Sequence, residues 1–276
     1  MKLVSFAWKG RESFGAVVGD EIADLGSPAC PDLKAALVAG LPAVVPATAP
    51  RIALSQVALL PVVPNPGKIF CVGLNYLEHR EETGRAATAH PTIFTRFADT
   101  QVAHGAPLVC PRESAMFDYE GELAVIIGRG GRRISEAVAM RHVAGYACYN
   151  DGSVRDWQNH TAQFTPGKNF PGSGGFGPWM VTPDEIADLD AVTVTTRLNG
   201  QVVQHAAVDQ MIFSIPRVIA YLSAFTVLSP GDVISTGTPG GVGAKRTPPL
   251  WMKPGDTVEV DISGVGVLRN PVTADA

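Results

Sequence analysis

The run Gly121-Glu122-Leu123-Ala124-Val125-Ile126-Ile127 places the strongest condition on how this chain folds. Its β-branched, apolar content argues for a strand, in which side chains alternate between two faces. Leu123, Val125 and Ile127, with Tyr119, make one face apolar, and Ala124 and Ile126 make the other face buried as well. Such a strand belongs inside a core. Yet that second face begins with Glu120 and Glu122, which period-2 geometry sets roughly 6 to 7 Å apart. Like charges at the mouth of a core are costly unless the face is wet or a hard cation sits between them. Mg²⁺ suits such a place, because it favours oxygen sites with few protein ligands and several open positions. A third carboxylate, Asp151, closes the run Gly145-Tyr146-Ala147-Cys148-Tyr149-Asn150-Asp151.

Composition narrows the class. With 276 residues, 46% hydrophobic and 17% charged, the chain is expected to bury a large core, as a compact soluble enzyme does. The net charge of -4, with no Lys/Arg cluster alternating with aromatics, argues against nucleic acid or an anionic membrane surface as partner. The expected ligand is small. Cys30, Cys71, Cys110 and Cys148 are widely spaced without a C-x-x-C pair, which fits buried thiols in a reducing compartment. No apolar run is long enough to span a bilayer, and Met1 leads straight into strand-like sequence, so a cytoplasmic location is expected.

Along the chain, Leu3 to Trp8 and Phe14 to Val18 read as a hairpin around the polar turn Lys9-Gly10-Arg11-Glu12. A short helix is expected from Pro31 to Gly40, a Pro/Ala linker from Pro42 to Pro50, and a strand from Ile52 to Leu60. Lys68 to Gly73 then opens the main body. Beyond it, short strands dominate: Val192 to Leu198, Gln201 to Gln204 after an Asn199-Gly200 hairpin turn, Asp232 to Thr236, and Thr257 to Ile262. Helical patterns are few there, chiefly Ser135 to His142 and Ile215 to Phe225. The fold class expected is α+β and β-rich.

Three further segments carry candidate chemistry. Gly73 to Gly84 follows a strand and reads as a short helix or mobile loop, where His79 and Glu82, three apart, share a face. There Glu82 orients the imidazole of a general base, unless the two are a solvated pair in a charged segment. Lys168 stands alone among glycine, proline and aromatics from Phe164 to Gly172. Facing carboxylates and a metal it would stabilise a developing enolate; otherwise it is a surface loop residue. The stretch Ser235 to Gly243 lacks the Gly-Lys-Ser/Thr ending of a P-loop, so nucleotide binding is not expected, although its amides and Thr238 can contact a carboxylate.

Taken in order, Gly73-Leu74-Asn75-Tyr76 with His79 and Glu82, Asp118-Tyr119-Glu120-Gly121-Glu122-Leu123-Ala124, Asn150-Asp151 with Arg155-Asp156 and Gln158, Gly167-Lys168, Gly177-Pro178-Trp179, and Gly237-Thr238-Pro239 resemble the fumarylacetoacetate hydrolase family from about Pro66 onward. The resemblance implies a mixed-sheet β-roll over 66–276, preceded by a small α+β domain over 1–65, and a homodimer. It also implies Glu120, Glu122 and Asp151 as Mg²⁺ or Mn²⁺ ligands, with Ca²⁺ as an alternative. His79 and Glu82 match a water-activating dyad on a lid, Lys168 an active-site lysine, and Gln158 and Thr238 contacts to substrate oxygens. The chain departs from the family twice. Phe94-Thr95-Arg96-Phe97 stands where many members read Phe-Leu-Lys-Pro, and Gly152 replaces a bulkier residue. Arg96 is accordingly either a ligand for a distal substrate carboxylate or part of a structural salt bridge.

These features lead to an expectation of metal-dependent hydrolysis of a C–C bond in an acylpyruvate or 1,3-diketo acid such as fumarylpyruvate, in aromatic-compound catabolism. Decarboxylation of a 2-oxo acid or double-bond isomerisation would use a similar enolate. A non-catalytic protein holding a structural Ca²⁺ is the alternative of another class.

Overall fold

A computed structural model describes residues 1–275. Among these residues, twelve strands form a mixed sheet: ten follow the path Arg51–Ala53, Glu21–Asp24, Arg11–Val18, Lys2–Trp8, Gly174–Val181, Val143–Asn150, Gly121–Ile127, Val233–Ser235, Ile69–Gly73, Thr92–Arg96, while Ala58–Leu59 pairs with Lys2–Trp8 and Gln101–Val102 with Gly174–Val181 off it. Most neighbours are antiparallel, but Val233–Ser235 pairs in parallel with Ile69–Gly73, and Gln101–Val102 in parallel with Gly174–Val181. A second, five-stranded sheet is built from Gln201–Ala207, Thr193–Leu198, Thr257–Ile262, Gly266–Ala274 and Leu108–Cys110. The architecture is the expected β-rich α+β type.

Gly121–Ile127 lies in the interior of the large sheet, and its two faces serve different cores. Leu123, Val125 and Ile127 pack with Val218, Ile219 and Leu222 of the helix Ile215–Phe225, and with Val260 and Leu268 of the second sheet. Ala124 and Ile126 pack with Leu3, Phe14, Leu33, Tyr149 and Phe176. The N-terminal segment therefore covers one face of the strand on which the carboxylates begin.

Local signals act as anticipated at several turns. Asn199 and Gly200 both have positive φ (53° and 80°), the backbone that a two-residue hairpin turn requires, and they join Thr193–Leu198 to Gln201–Ala207. Asp32 caps the helix Leu33–Ala39 by accepting from the Ala35 amide at 2.7 Å. Two expectations need correction. Ile52 to Leu60 is not one strand: a single turn at Leu54–Gln56 separates Arg51–Ala53 from Ala58–Leu59. The break lets the chain leave its pairing with Glu21–Asp24 and pair with Lys2–Trp8. Ser135 to His142 is α-helical only over Glu136–Ala139, tightens into a 3₁₀ turn at Met140–His142, and passes directly into the strand Val143–Asn150. Among the described residues the cysteines are free, and no helix is long and apolar enough to cross a membrane.

Candidate active site

Strand register brings the acidic residues together. Gly121 stands opposite Asn150 and Glu122 opposite Tyr149, so the next residue on each side places Asp151 against Glu120. The Asp151 amide donates to the Glu120 carbonyl at 2.8 Å, and the Glu120 amide donates to the Asn150 side-chain oxygen at 3.0 Å. Glu120 itself precedes the strand, which begins at Gly121. The pair is thus a strand residue and a junction residue, and one oxygen from each of Glu120, Glu122 and Asp151 lies within 4.8 Å of the others. All three are buried.

Their charges are compensated unequally. Lys168 Nζ lies 2.6 Å from both Glu120 Oε2 and Asp151 Oδ2. Arg155 Nη2 pairs with Glu120 Oε1 at 2.7 Å, and Arg96 Nη1 with Asp151 Oδ1 at 2.7 Å. Among the described residues Glu122 has no cationic partner: its Oε2 accepts from the Ser235 hydroxyl at 2.5 Å and the Gly237 amide at 2.8 Å. The titration behaviour follows from this asymmetry. Burial pushes the Glu122 carboxyl well up, and the neighbouring Asp151 and Glu120 push it further. Burial acts the same way on Glu120, but the Arg155 guanidinium and Lys168 ammonium outweigh it and hold that carboxyl far below the usual range. For Lys168 burial works against the charge, and Asp151 and Glu120 overcome it, so the ammonium stays protonated.

A buried, uncompensated carboxylate beside two others is what a divalent cation would neutralise, and an all-oxygen donor set suits a hard ion. The residues present fit such a group. The acidic triad is able to hold a divalent metal.

The helix Leu77–Thr83 carries His79 and Glu82. It ends where Gly84 adopts φ 69°, the left-handed cap that glycine tolerates best. Its entry is tied down by Asn75, whose side chain donates to the Phe213 and Thr236 carbonyls and accepts from the Phe213 amide. His79 Nδ1 lies 2.7 Å from Glu82 Oε1, and Glu82 Oε2 accepts from the Gly241 amide at 2.9 Å. The dyad is therefore packed against the Gly237–Lys245 region and is not a solvated pair.

A cavity of about 340 Å³ unites these groups: His79, Glu120, Glu122, Gln158, Lys168 and Thr238 all line it. Gln158 is positioned by Arg155, which donates to its Oε1 at 2.9 Å. The Thr238 hydroxyl donates to the Gly121 carbonyl at 3.0 Å and lies 2.7 Å from the Gln204 amide nitrogen. Arg96 is elsewhere. It is buried behind Asp151, bonded also to the Gly152 carbonyl and the Ser173 hydroxyl, so of its two expected roles the structure displays the salt bridge. The two departures from the family pattern meet here. A Cβ on Gly152 would lie 2.0 Å from the Ser173 carbonyl oxygen, leaving no room for a side chain beside the Arg96 guanidinium.

Two residues were quoted in sequence without a role. Asp118 accepts from Arg155 Nε and from the Gly243 and Ala244 amides at 2.8 to 2.9 Å. It thereby joins Arg155, and through it Glu120, to the loop before Arg246. The signal was the clustering of Asp118 and Arg155 around the two acidic motifs, but only folding pairs residues 37 apart.

Oxygen-rich acidic groups, a protonated lysine and an oriented imidazole thus face one small cavity, an arrangement suited to an enzyme acting on a small molecule. The chain belongs to the fumarylacetoacetate hydrolase family: residues 68–273 match the family's C-terminal fumarylacetoacetate (FAA) hydrolase domain. A mitochondrial oxaloacetate tautomerase of Xenopus laevis is 42% identical over 220 residues, covering 79% of this chain and 69% of the relative. A fumarylacetoacetate hydrolase of Exiguobacterium antarcticum superposes with a TM-score of 0.88 at 35% identity, each chain covered in full. A 2-hydroxyhepta-2,4-diene-1,7-dioate isomerase of Mycobacterium marinum gives 0.83 at 31% identity, covering 100% of this chain and 99% of that one.

Proposed function

We propose that this enzyme moves a proton between carbon and oxygen of a 2-oxo acid, interconverting the keto and enol forms of an oxaloacetate-like substrate. The observation that carries the reading is the His79–Glu82 pair at 2.7 Å, held by the Gly241 amide over the cavity that contains Glu120 and Lys168. Mg²⁺ or Mn²⁺ held by Glu120, Glu122 and Asp151 would supply Lewis-acid polarisation of the substrate carbonyl. Because Nδ1 of His79 is engaged with Glu82, proton exchange falls to Nε2, and the Glu82 carboxylate stabilises the imidazolium formed when it takes the proton. Lys168 supplies a fixed positive charge for the developing enolate oxygen. Gln158 and Thr238 orient substrate oxygens. The step needs no attacking water, since the proton leaving carbon is returned to oxygen.

The relative from Xenopus named as a tautomerase supports this choice over the hydrolysis expected from sequence. Hydrolysis of an acylpyruvate remains a second reading, favoured by the similarity to a named hydrolase and by a cavity of about 340 Å³, roomy for a four-carbon acid. In that reaction the same dyad would deprotonate water. The test is to follow loss of the oxaloacetate enol by its absorbance, with Mg²⁺, beside cleavage of an acylpyruvate. Accelerated enol loss, abolished by EDTA and restored by Mg²⁺, is expected, with His79→Asn lowering kcat by roughly 10² to 10⁴. Acylpyruvate cleavage without enol turnover would establish hydrolysis instead. A cytoplasmic homodimer is proposed as the working form, and sedimentation velocity tests its stoichiometry.

A further inference from the structure

Gly241 is gripped through both of its backbone polar groups. Its amide donates to Glu82 Oε2 at 2.9 Å, and its carbonyl accepts from the Tyr119 hydroxyl and from Arg246 Nε, each at 3.1 Å. Arg246 Nε also lies 3.0 Å from the Tyr119 hydroxyl oxygen, and Nη2 donates to the Val203 carbonyl at 2.6 Å. The half-buried guanidinium thus joins three segments: the strand Gln201–Ala207, the residue before Glu120, and the loop that meets Glu82. Gly241 has φ 99°, a backbone that suits glycine, and a Cβ there would run into the Val203 carbonyl oxygen.

Arginine is the usual choice for pairing a carboxylate with two donors. Arg246 gives Nε and Nη2 to two carbonyls and a phenol instead. The phenol is a fixed post. Tyr119 is buried among Phe117, Leu198, Val203 and Val258, and burial pushes its hydroxyl up to about 12, so it stays protonated and able to donate. Neither Arg246 nor Tyr119 lines the cavity, whereas His79 does.

Such contacts can be ordinary loop fastening. What sets these apart is where the Gly241 amide points. Glu82 holds His79 Nδ1 with Oε1 and the Gly241 amide with Oε2. It lies one residue from the end of the helix Leu77–Thr83, so without that amide its side chain would be free to turn to water. We propose that Arg246 is a positioning residue for proton transfer: by fixing the Gly241 carbonyl it aims the amide at Glu82, which keeps the His79 imidazole oriented in the cavity. This rests on the reading of His79 as the base, and it places the base and Glu120 in one frame through Tyr119.

The experiment is a double-mutant cycle in the enol assay with Mg²⁺, beside calorimetric binding of oxalate to the Mg²⁺-loaded protein. Arg246→Gln should lower kcat by roughly 10²-fold, with KM and oxalate affinity kept. In a Glu82→Ala background it should have no further effect, because the group it positions is gone. Loss by the same factor in both backgrounds, or weakened oxalate binding, would show a merely structural role and overturn the proposal. Tyr119→Phe removes one of the two donors to the Gly241 carbonyl and should lower kcat less. If Arg246→Gln does not fold, Tyr119→Phe carries the same cycle.

A second readout needs no turnover. The His79 Nδ1 proton shared with Glu82 should give a downfield proton resonance, assigned by its absence in His79→Asn and lost or broadened in Arg246→Gln. A wild type without that resonance, or a variant that keeps it unchanged, would overturn the proposal. Should the wild type show no enol turnover, the tautomerase reading falls, while the resonance still decides whether Arg246 positions the dyad.

Discussion

Glu122 shows how much one side chain depends on its neighbours. Glu120 and Asp151 share the charges of Lys168, Arg155 and Arg96, while Glu122 has only a hydroxyl and an amide. Removing its charge with Glu122→Gln should therefore raise the melting temperature of the metal-free protein and abolish the further rise on adding Mg²⁺. In the wild type, Mg²⁺ at about 100 times its Kd should add roughly 2.7 kcal/mol of stability. Thermal melts with EDTA and with Mg²⁺ decide both points, and a wild type that ignores Mg²⁺ would refute the metal site. Arg96→Met is expected to do the opposite. It would leave Asp151 Oδ1 and the Gly152 carbonyl without their donor while Lys168 still holds Asp151 Oδ2, at a cost of about 1 to 3 kcal/mol by urea denaturation.

The helix Ile215–Phe225 follows from its sequence pattern and is held by what it covers. Leu222 is fully buried against the Leu123, Val125 and Ile127 face. Leu222→Ala should cost about 2 to 5 kcal/mol in the same urea assay, because the surrounding sheets cannot close the cavity. At the edge of the second sheet, His104 Nδ1 accepts from the Arg269 amide at 3.1 Å. Burial, and the Arg269 charge, lower its pKa from 6.5, against the upward effect of its hydrogen bond in the Val267 region. A lowered folded pKa means stability that is present above pH 6.5 and lost as pH falls through the folded value. Unfolding free energy should thus decline below about pH 6.5, and His104→Gln should flatten that decline. An identical slope in the variant would show that His104 does not contribute.

We propose residues 1–65 as a small α+β unit and 66–276 as the catalytic β-roll, joined by one continuous sheet. Lys2 pairs with Val181 and Leu3 with Met180, and Leu3, Phe14 and Leu33 cover Ala124 and Ile126. Deleting 1–65 should expose that apolar face, seen as increased binding of a hydrophobic dye and a lower melting temperature. A fragment as stable as the whole chain would show that the cover is dispensable. Strand positions, the Asn199-Gly200 turn, the Gly84 cap and the doubly buried Gly121–Ile127 strand were legible because each depends on neighbours in sequence. The two misread segments, at Leu54–Gln56 and Met140–His142, are places where the chain changes partners, which local propensity does not record.

What the sequence by itself determined is the chemistry available: three carboxylates, one isolated lysine and a histidine–glutamate pair at helical spacing, with the family they resemble. Periodicity and residue type carry that information directly. Only the tertiary structure decided which charges meet. It withdrew Arg96 into an ion pair behind Asp151, engaged Asp118 with Arg155, and left Glu122 with a hydroxyl and an amide in place of a cation. Electrostatic roles depend on separations of a few ångströms between residues far apart in the chain, and these separations come from sheet register and packing.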